Sequence, residues 1–207
     1  MMKGKFITFE GCEGSGKSTQ LKLLAEYLNE RGVDFILTRE PGGSAISEQI
    51  RTIILNGKNT EMCDECEALL YAAARAQHLK ETVAPALNQG KLVICDRYVH
   101  SSLAYQGYAR GLGVDYINKI NDFAISNFKP DLTVFLDIAP ADAFHRKHGA
   151  DPDDRIEQLG LEFHTKVYQG YKSLESLYPN ICAVDCHGTK FETADKIKKL
   201  LIAKGII

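Results

Sequence analysis

The sequence has no surplus of either charge: 25 Lys and Arg stand against 27 Asp and Glu, a formal net charge of -2. That balance creates no basic field to gather a nucleic acid, so no nucleic-acid partner is expected. No apolar run approaches the roughly 20 residues a spanning helix needs. The opening Met1-Met2-Lys3-Gly4-Lys5 runs straight into a strand pattern, without the apolar stretch and cleavage site of a signal peptide. No membrane partner is therefore expected, and a cytoplasmic location is. Internal repeats, low-complexity tracts and linkers are also missing, and 207 residues suit a single domain, 1–207, with a sizeable core.

Cysteine is sparse but paired in sequence. Cys63-Asp64-Glu65-Cys66 and Cys182-Ala183-Val184-Asp185-Cys186 could supply two halves of a zinc site. The alternative is free thiols in a reducing compartment, with Cys182, Val184 and Cys186 on one face of a buried strand and Cys63 and Cys66 near a helix start.

What the chain does carry is Gly11-Cys12-Glu13-Gly14-Ser15-Gly16-Lys17-Ser18, followed by Thr19, which fits G-x-x-x-x-G-K-[ST]. Phe6-Ile7-Thr8-Phe9 precedes it as a β-prone run, and Leu21, Leu24, Ala25 and Leu28 follow at helical spacing. A loop between a strand and a helix N-terminus turns its N–H groups inward and cradles phosphates. Lys17 reaches the β- and γ-phosphates of a nucleoside triphosphate, and the Ser18 hydroxyl can ligate Mg²⁺.

Beyond the loop, the first helix should end near Arg31, where Gly32 supplies a stop. Strands are expected at 33–38, 92–96, 132–137 and 181–186. A short helix should bury Ile46, Ile50, Ile53 and Ile54, a longer one should run over 64–88 with a kink before Pro85, and a last helix over 193–203. Strands alternating with helices imply an α/β fold in three layers, a central parallel five-stranded sheet covered on both faces. Ligands in such sheets bind beyond the carboxyl ends of the strands, where Glu10, Arg39-Glu40, Asp96-Arg97 and Asp137 fall.

Either Asp96 or Asp137 can be the acidic partner of the metal; Asp96 is favoured because Arg97 follows it at once. Arg39, Arg51, Arg75 and Arg97 all map in or near the cleft, and guanidinium binds phosphate bidentately. A hydrolase has little use for so many. A kinase whose acceptor is itself a phosphate needs them.

The segments Phe6-Ile7-Thr8-Phe9-Glu10-Gly11, Thr38-Arg39-Glu40-Pro41-Gly42-Gly43, Asp96-Arg97-Tyr98 and Ser101-Ser102-Leu103-Ala104-Tyr105-Gln106-Gly107 resemble those of bacterial thymidylate kinases, within the P-loop nucleoside monophosphate kinases. So do Pro130-Asp131-Leu132-Thr133 and Asp154-Arg155-Ile156-Glu157, in the same order over nearly the whole chain. The resemblance implies phosphorylation of dTMP to dTDP by ATP and Mg²⁺, for dTTP synthesis, by a homodimer whose interface would be exposed apolar residues on the helices of 44–88. It implies that Glu13 faces the deoxyribose 3′-hydroxyl, Tyr71 stacks on the thymine and Arg75 reaches its O4. It implies that Ser102 and Gln106 hydrogen-bond the base, while Tyr105 leaves no room for a 2′-hydroxyl. Arg39, Arg51 and Arg97 would hold the acceptor phosphate or orient the transfer, and Glu40-Pro41 would shape the pocket.

Family members without an Arg in the phosphate loop carry catalytic cations in a short lid, here expected at about 145–157. This lid departs from the pattern: Arg146-Lys147-His148-Gly149-Ala150-Asp151 holds fewer Arg than is usual, leaving Arg146 and Arg155 as candidates. Arg155 could instead pair with Asp154 or Glu157. His100 stands where many relatives have Asp and reads as a peripheral substitution. Two rival readings remain: a kinase for another nucleotide or a nucleoside, and a nucleotide-gated interaction protein that hydrolyses ATP without an acceptor.

Overall fold

The computed structural model describes residues 4–146 and 154–207. In chain order the elements are β1 (Phe6–Glu10), α1 (Lys17–Glu30), β2 (Phe35–Arg39), α2 (Ala45–Leu55), α3 (Asp64–His78), α4 (Ala84–Asn88) and β3 (Leu92–Asp96). There follow α5 (Val99–Ser102), α6 (Val114–Ile120), α7 (Asp122–Asn127), β4 (Leu132–Asp137), α8 (Pro140–Arg146), α9 (Gly160–Leu177), β5 (Ile181–Asp185) and α10 (Lys190–Ala203).

The strands form one all-parallel sheet in the order β2-β3-β1-β4-β5. All five residues of β1 are buried and β4 is nearly so, which is why these strands read as unbroken apolar runs. Leu21, Leu24 and Leu28 of α1 close one face together with Ile197 and Leu201 of α10. The other face is covered by Val167, Tyr171 and Leu174 of α9 beside Leu103, and by Leu79, Val83 and Leu87 over β3. The architecture is the expected three-layer α/β fold. Among the described residues no helix is long and apolar enough to cross a membrane.

Parallel pairing aligns the carboxyl ends: Phe9 lies opposite Asp96 of β3 and Val134 of β4, so the phosphate loop, Asp96-Arg97 and Arg39-Glu40 emerge along one rim. Gly14 and Gly16 take φ of 74° and 92°, the left-handed region open to glycine. A Cβ on Gly14 would also meet Ala143 O at 2.6 Å.

Three expectations are corrected. The 64–88 helix is not simply kinked at Pro85: α3 passes through a π-helical turn, Leu79–Val83, into α4. Pro85 has no N–H to give an α-turn, and it stands in the first turn of α4, directly after the wider turn. Residue Ile54 of α2 is buried, but Ile46 and Ile53 are each 48% exposed, because α2 docks on α3 through Ser47, whose hydroxyl donates to Ala74 O at 2.8 Å. The last helix starts at Lys190, three residues early, fixed by a capping box in which Thr189 and Glu192 satisfy each other's backbone N–H groups.

Candidate active site

The rim opens into a cavity of about 450 Å³. The phosphate loop contributes Glu13, Gly14, Ser15, Gly16, Lys17, Ser18 and Thr19 to its wall. Across from them the lining holds Arg39, Pro41, Arg51, Tyr71, Arg75, Asp96, Arg97, Ser102, Tyr105 and Gln106. Residues spread over almost a hundred positions are thus gathered into one cleft. Gly11 and Cys12 are not part of the lining; their carbonyls instead accept from Lys17 Nζ, each at 3.0 Å. Burial, and then the neighbouring Arg97 cation, pulls the Lys17 ammonium below its ordinary value.

Arg97 sits at the centre. Its Nη2 donates to Glu13, while Nη1 donates to Gly11 O at 3.0 Å and to Ser101 Oγ at 3.2 Å. The guanidinium lies 5.2 Å from the centroid of the Tyr105 ring. Its backbone takes φ of 66°, the one left-handed non-glycine among the described residues. Such a conformation costs on the order of 1–3 kcal/mol and persists where surroundings over-determine it. Here the Arg97 N–H is held by Phe9 O at 2.9 Å. Beneath it lies buried Glu10, whose carboxylate accepts from Tyr98 N at 2.9 Å, Ser101 Oγ at 2.6 Å and the Tyr171 hydroxyl at 2.9 Å. Burial raises the Glu10 carboxyl above its usual range against the pull of Ser101, Arg97, Tyr171 and Tyr98.

The opposite wall rests on a second buried carboxylate. Glu40 accepts from Arg75 Nε at 2.7 Å and pairs with His78 Nδ1 at 3.0 Å; all three side chains are almost wholly buried. Arg75 also donates from Nη1 to Asn121 Oδ1 and from Nη2 to Ser102 Oγ at 3.2 Å. Glu40 is therefore the anchor that holds Arg75 against the cleft, more than a local turn residue. Tyr71 and Arg75, one helical turn apart on α3, present the same face to the cavity. Tyr105 and Gln106 come from a π-helical turn, Leu103–Ala109, that follows α5. Arg39 pairs with Glu48 at 2.8 Å, and Arg51 donates to Pro41 O at 2.8 Å, so both cations lean over the cleft mouth already oriented.

The two aspartates differ in their partners. Asp137 accepts from the Tyr168 hydroxyl at 2.8 Å and from Lys172 Nζ at 3.1 Å, and lies outside the lining. Asp96 lines the cleft, and its Oδ1 is buried with no hydrogen-bond partner among the described residues. The Ser15 hydroxyl is orphaned in the same way. An orphaned carboxylate oxygen in the same lining as Ser18 fits a hard, oxygen-seeking cation such as Mg²⁺.

Two expected residues fall elsewhere. Arg155 is absent from the lining: its Nη2 donates to buried Glu67 and its Nε to Ile54 O at 3.0 Å, rather than to Asp154 or Glu157. A fully buried carboxylate outcompetes the half-buried acids next to Arg155 in sequence. His100 is buried in the core, its Nδ1 3.2 Å from Thr133 Oγ1 and its ring edge-on to Tyr178. Residues 147–153 of the expected lid, and the Arg146 side chain, lie outside the described residues. The cysteines of the two sequence pairs are free, and the one cluster of metal-ligand type among the described residues is Glu40, His78 and Cys95, already committed to Arg75 and Thr38.

Missed at the level of sequence were buried Glu67 and Tyr171, which hold Gln106, Arg110, Arg155 and Glu10, and the organising role of Glu10 and Glu40 at the rim. The clue available was position alone: Glu10 ends β1 and Glu40 directly follows β2 at the functional rim.

The sequence model of one family, thymidylate kinase, matches residues 9–197. The chain is 53% identical over 182 residues to a thymidylate kinase of Clostridium novyi, covering 87% of this chain and 89% of that protein. It is 51% identical over 180 residues to one of Finegoldia magna, covering 87% and 89%. To one of Bacillus velezensis it is 48% identical over 200 residues, covering 96% and 90%.

Proposed function

This chain belongs to the thymidylate kinase family, and we propose that its cleft passes the γ-phosphoryl of ATP in line to the 5′-phosphate of dTMP, giving ADP and dTDP for nucleotide biosynthesis. The observation that carries the reading is the joining, in one cavity, of a phosphate loop with a second polar chamber walled by Tyr71, Arg75, Ser102, Tyr105 and Gln106. Arg39, Arg51 and Arg97 stand in the same lining, where two anionic phosphate groups must approach each other.

The loop amides and Lys17 hold the ATP phosphates. Mg²⁺, held by Ser18 and Asp96, supplies charge neutralisation on the donor when bound. Arg97 leaves its Glu13 contact to stabilise charge on the transferring group, and Glu13 receives the 3′-hydroxyl of the acceptor deoxyribose. Tyr71 stacks on thymine and Arg75 addresses its O4, while Tyr105 fills the space of a ribose 2′-hydroxyl. Arg146 serves as the lid cation, since Arg155 is engaged with Glu67. Closure over the cleft keeps water from replacing dTMP as acceptor. The chain acts as a single kinase domain in the cytoplasm, as a homodimer joined through the exposed Ile46, Ile53 and Leu69 of α2 and α3.

ADP release with Mg·ATP, measured against dTMP, dUMP, UMP, CMP, AMP and thymidine, tests this reading. Strong dependence on dTMP, weaker use of dUMP and little of any ribonucleotide is the expected pattern. Preference for thymidine over dTMP would remove the monophosphate assignment, and acceptor-independent hydrolysis would point to a switch.

A further inference from the structure

We infer that Glu67, which is outside the cleft lining, sets the base selectivity of the transfer by fixing which end of the Gln106 amide faces the acceptor; the inference rests on the acceptor reading above. Glu67 lies on α3 one turn before Tyr71 and is fully buried. Two guanidinium groups converge on it: Arg110 Nη2 at 2.9 Å and Arg155 Nη2. A carboxylate held between two cations is an acceptor only. The third ligand of Glu67 is Gln106, whose Nε2 donates to Glu67 Oε1 at 2.7 Å.

That bond removes an ambiguity every amide has. A glutamine can offer a base either a carbonyl or an NH₂, and the two ends occupy almost the same space. With Nε2 tethered to a buried carboxylate flanked by two guanidinium groups, reversal would set the Gln106 carbonyl against that carboxylate. The Gln106 carbonyl is thus left for the cavity it lines, and it makes no hydrogen bond among the described residues. Thymine and uracil carry a proton on N3, which a carbonyl accepts. Cytosine carries a lone pair there, which a carbonyl repels. The two bases also differ at position 4, where the O4 acceptor of thymine suits Arg75 and the amino group of cytosine does not. Glu67 therefore acts as a positioning residue for selection of a 4-oxo pyrimidine, through Gln106 and without touching the substrate.

The test compares kcat/KM for dTMP and dCMP, at saturating Mg·ATP, in the wild type and in Glu67→Gln. The neutral amide can donate or accept, so it no longer dictates the orientation of Gln106. The expected result is a loss for dTMP carried mainly by KM, a gain for dCMP, and a fall in the dTMP-to-dCMP ratio of about tenfold or more. A ratio unchanged to within about twofold, in a wild type that does prefer dTMP, makes Glu67 a purely structural tether and overturns the inference alone. A wild type with no preference for dTMP over dCMP removes the acceptor reading and this inference together. Should Glu67→Gln fail to fold, the wild type answers by side-chain NMR with ¹⁵N-labelled glutamine. The Gln106 NH₂ resonances should keep their hydrogen-bonded shifts and slow exchange in both the free and dTMP-bound protein. Their transfer to the base on dTMP binding would overturn the proposal.

Discussion

Arg75 has two roles that pull on one side chain. It lines the cleft and also neutralises Glu40 in a pair that is almost fully buried. Removing one partner of such a pair leaves an uncompensated buried charge, at a cost of about 3–5 kcal/mol. Arg75→Ala should therefore lower the urea midpoint and, in the fraction that remains folded, raise KM for dTMP far more than KM for ATP. Equal loss for both substrates would move Arg75 out of the base chamber. A different residue governs acid stability. Burial, then the Arg75 cation, lowers the His100 imidazole from 6.5 to about 3. The folded protein keeps this ring neutral, whereas the unfolded chain protonates it below about 6.5. Stability associated with the neutral ring is thus complete above that pH and is lost as pH falls towards 3. At pH 5 the loss amounts to about 2 kcal/mol. Urea midpoints at pH 7 and pH 5 should show it, and His100→Gln should flatten the difference; an equal acid slope in that variant would assign the effect to other groups.

At the scale of elements, α10 offers the cleanest measurement, because it packs on α1 and lies away from the cleft. Thr189 accepts from Glu192 N at 3.2 Å, and Glu192 accepts from Thr189 N at 2.7 Å. Thr189→Ala should cost about 1 kcal/mol in thermal or urea unfolding while leaving both KM values unchanged; a shift in either KM would show that α10 communicates with the cleft. The T-x-x-E pattern of this box was readable in the sequence, yet the helix start was placed three residues late by its apolar spacing alone. Elements with one dominant signal were legible: the glycine-rich loop, and strands such as Leu92–Asp96 whose residues are apolar on both faces. Ile46 and Ile53 were misread as buried because a helical stripe does not reveal which of its rows meets a neighbour. The carboxylates that organise the cleft were harder still. Glu67 on a charged helix reads as a solvated acid, and its partners Gln106, Arg110 and Arg155 lie 39, 43 and 88 residues away. Arg155 went astray for the same reason, since local sequence offered Asp154 and Glu157 while the fold supplied Glu67.

For the molecule as a whole, the open question raised by the surface is association. Leu69 is 51% exposed on α3, and Ile46 and Ile53 are 48% exposed on α2. These two helices line the cleft on their inner side, α2 through Arg51 and Leu55 and α3 through Tyr71 and Arg75. A dimer formed through them would brace the acceptor wall from outside. Sedimentation should give twice the 23.0 kDa chain mass, and Leu69→Glu should return the single-chain mass. A wild type sedimenting as one chain would leave the apolar rows of α2 and α3 without a role. The acids that organise the cleft, Glu10 and Glu40, stand at or just past the carboxyl ends of β1 and β2, whereas Asp131 at the opposite rim accepts from Phe6 N at 2.8 Å.

The left-handed backbone at Arg97 has a consequence for how this protein can change over time. Glycine would suit that backbone better than any other residue, yet only a guanidinium can reach Glu13 and the Gly11 carbonyl from it. If Arg97 serves the transfer proposed above, relief of that backbone and turnover favour opposite alleles at this single codon. A lineage adapting to hotter surroundings has to find its extra robustness somewhere else in the chain.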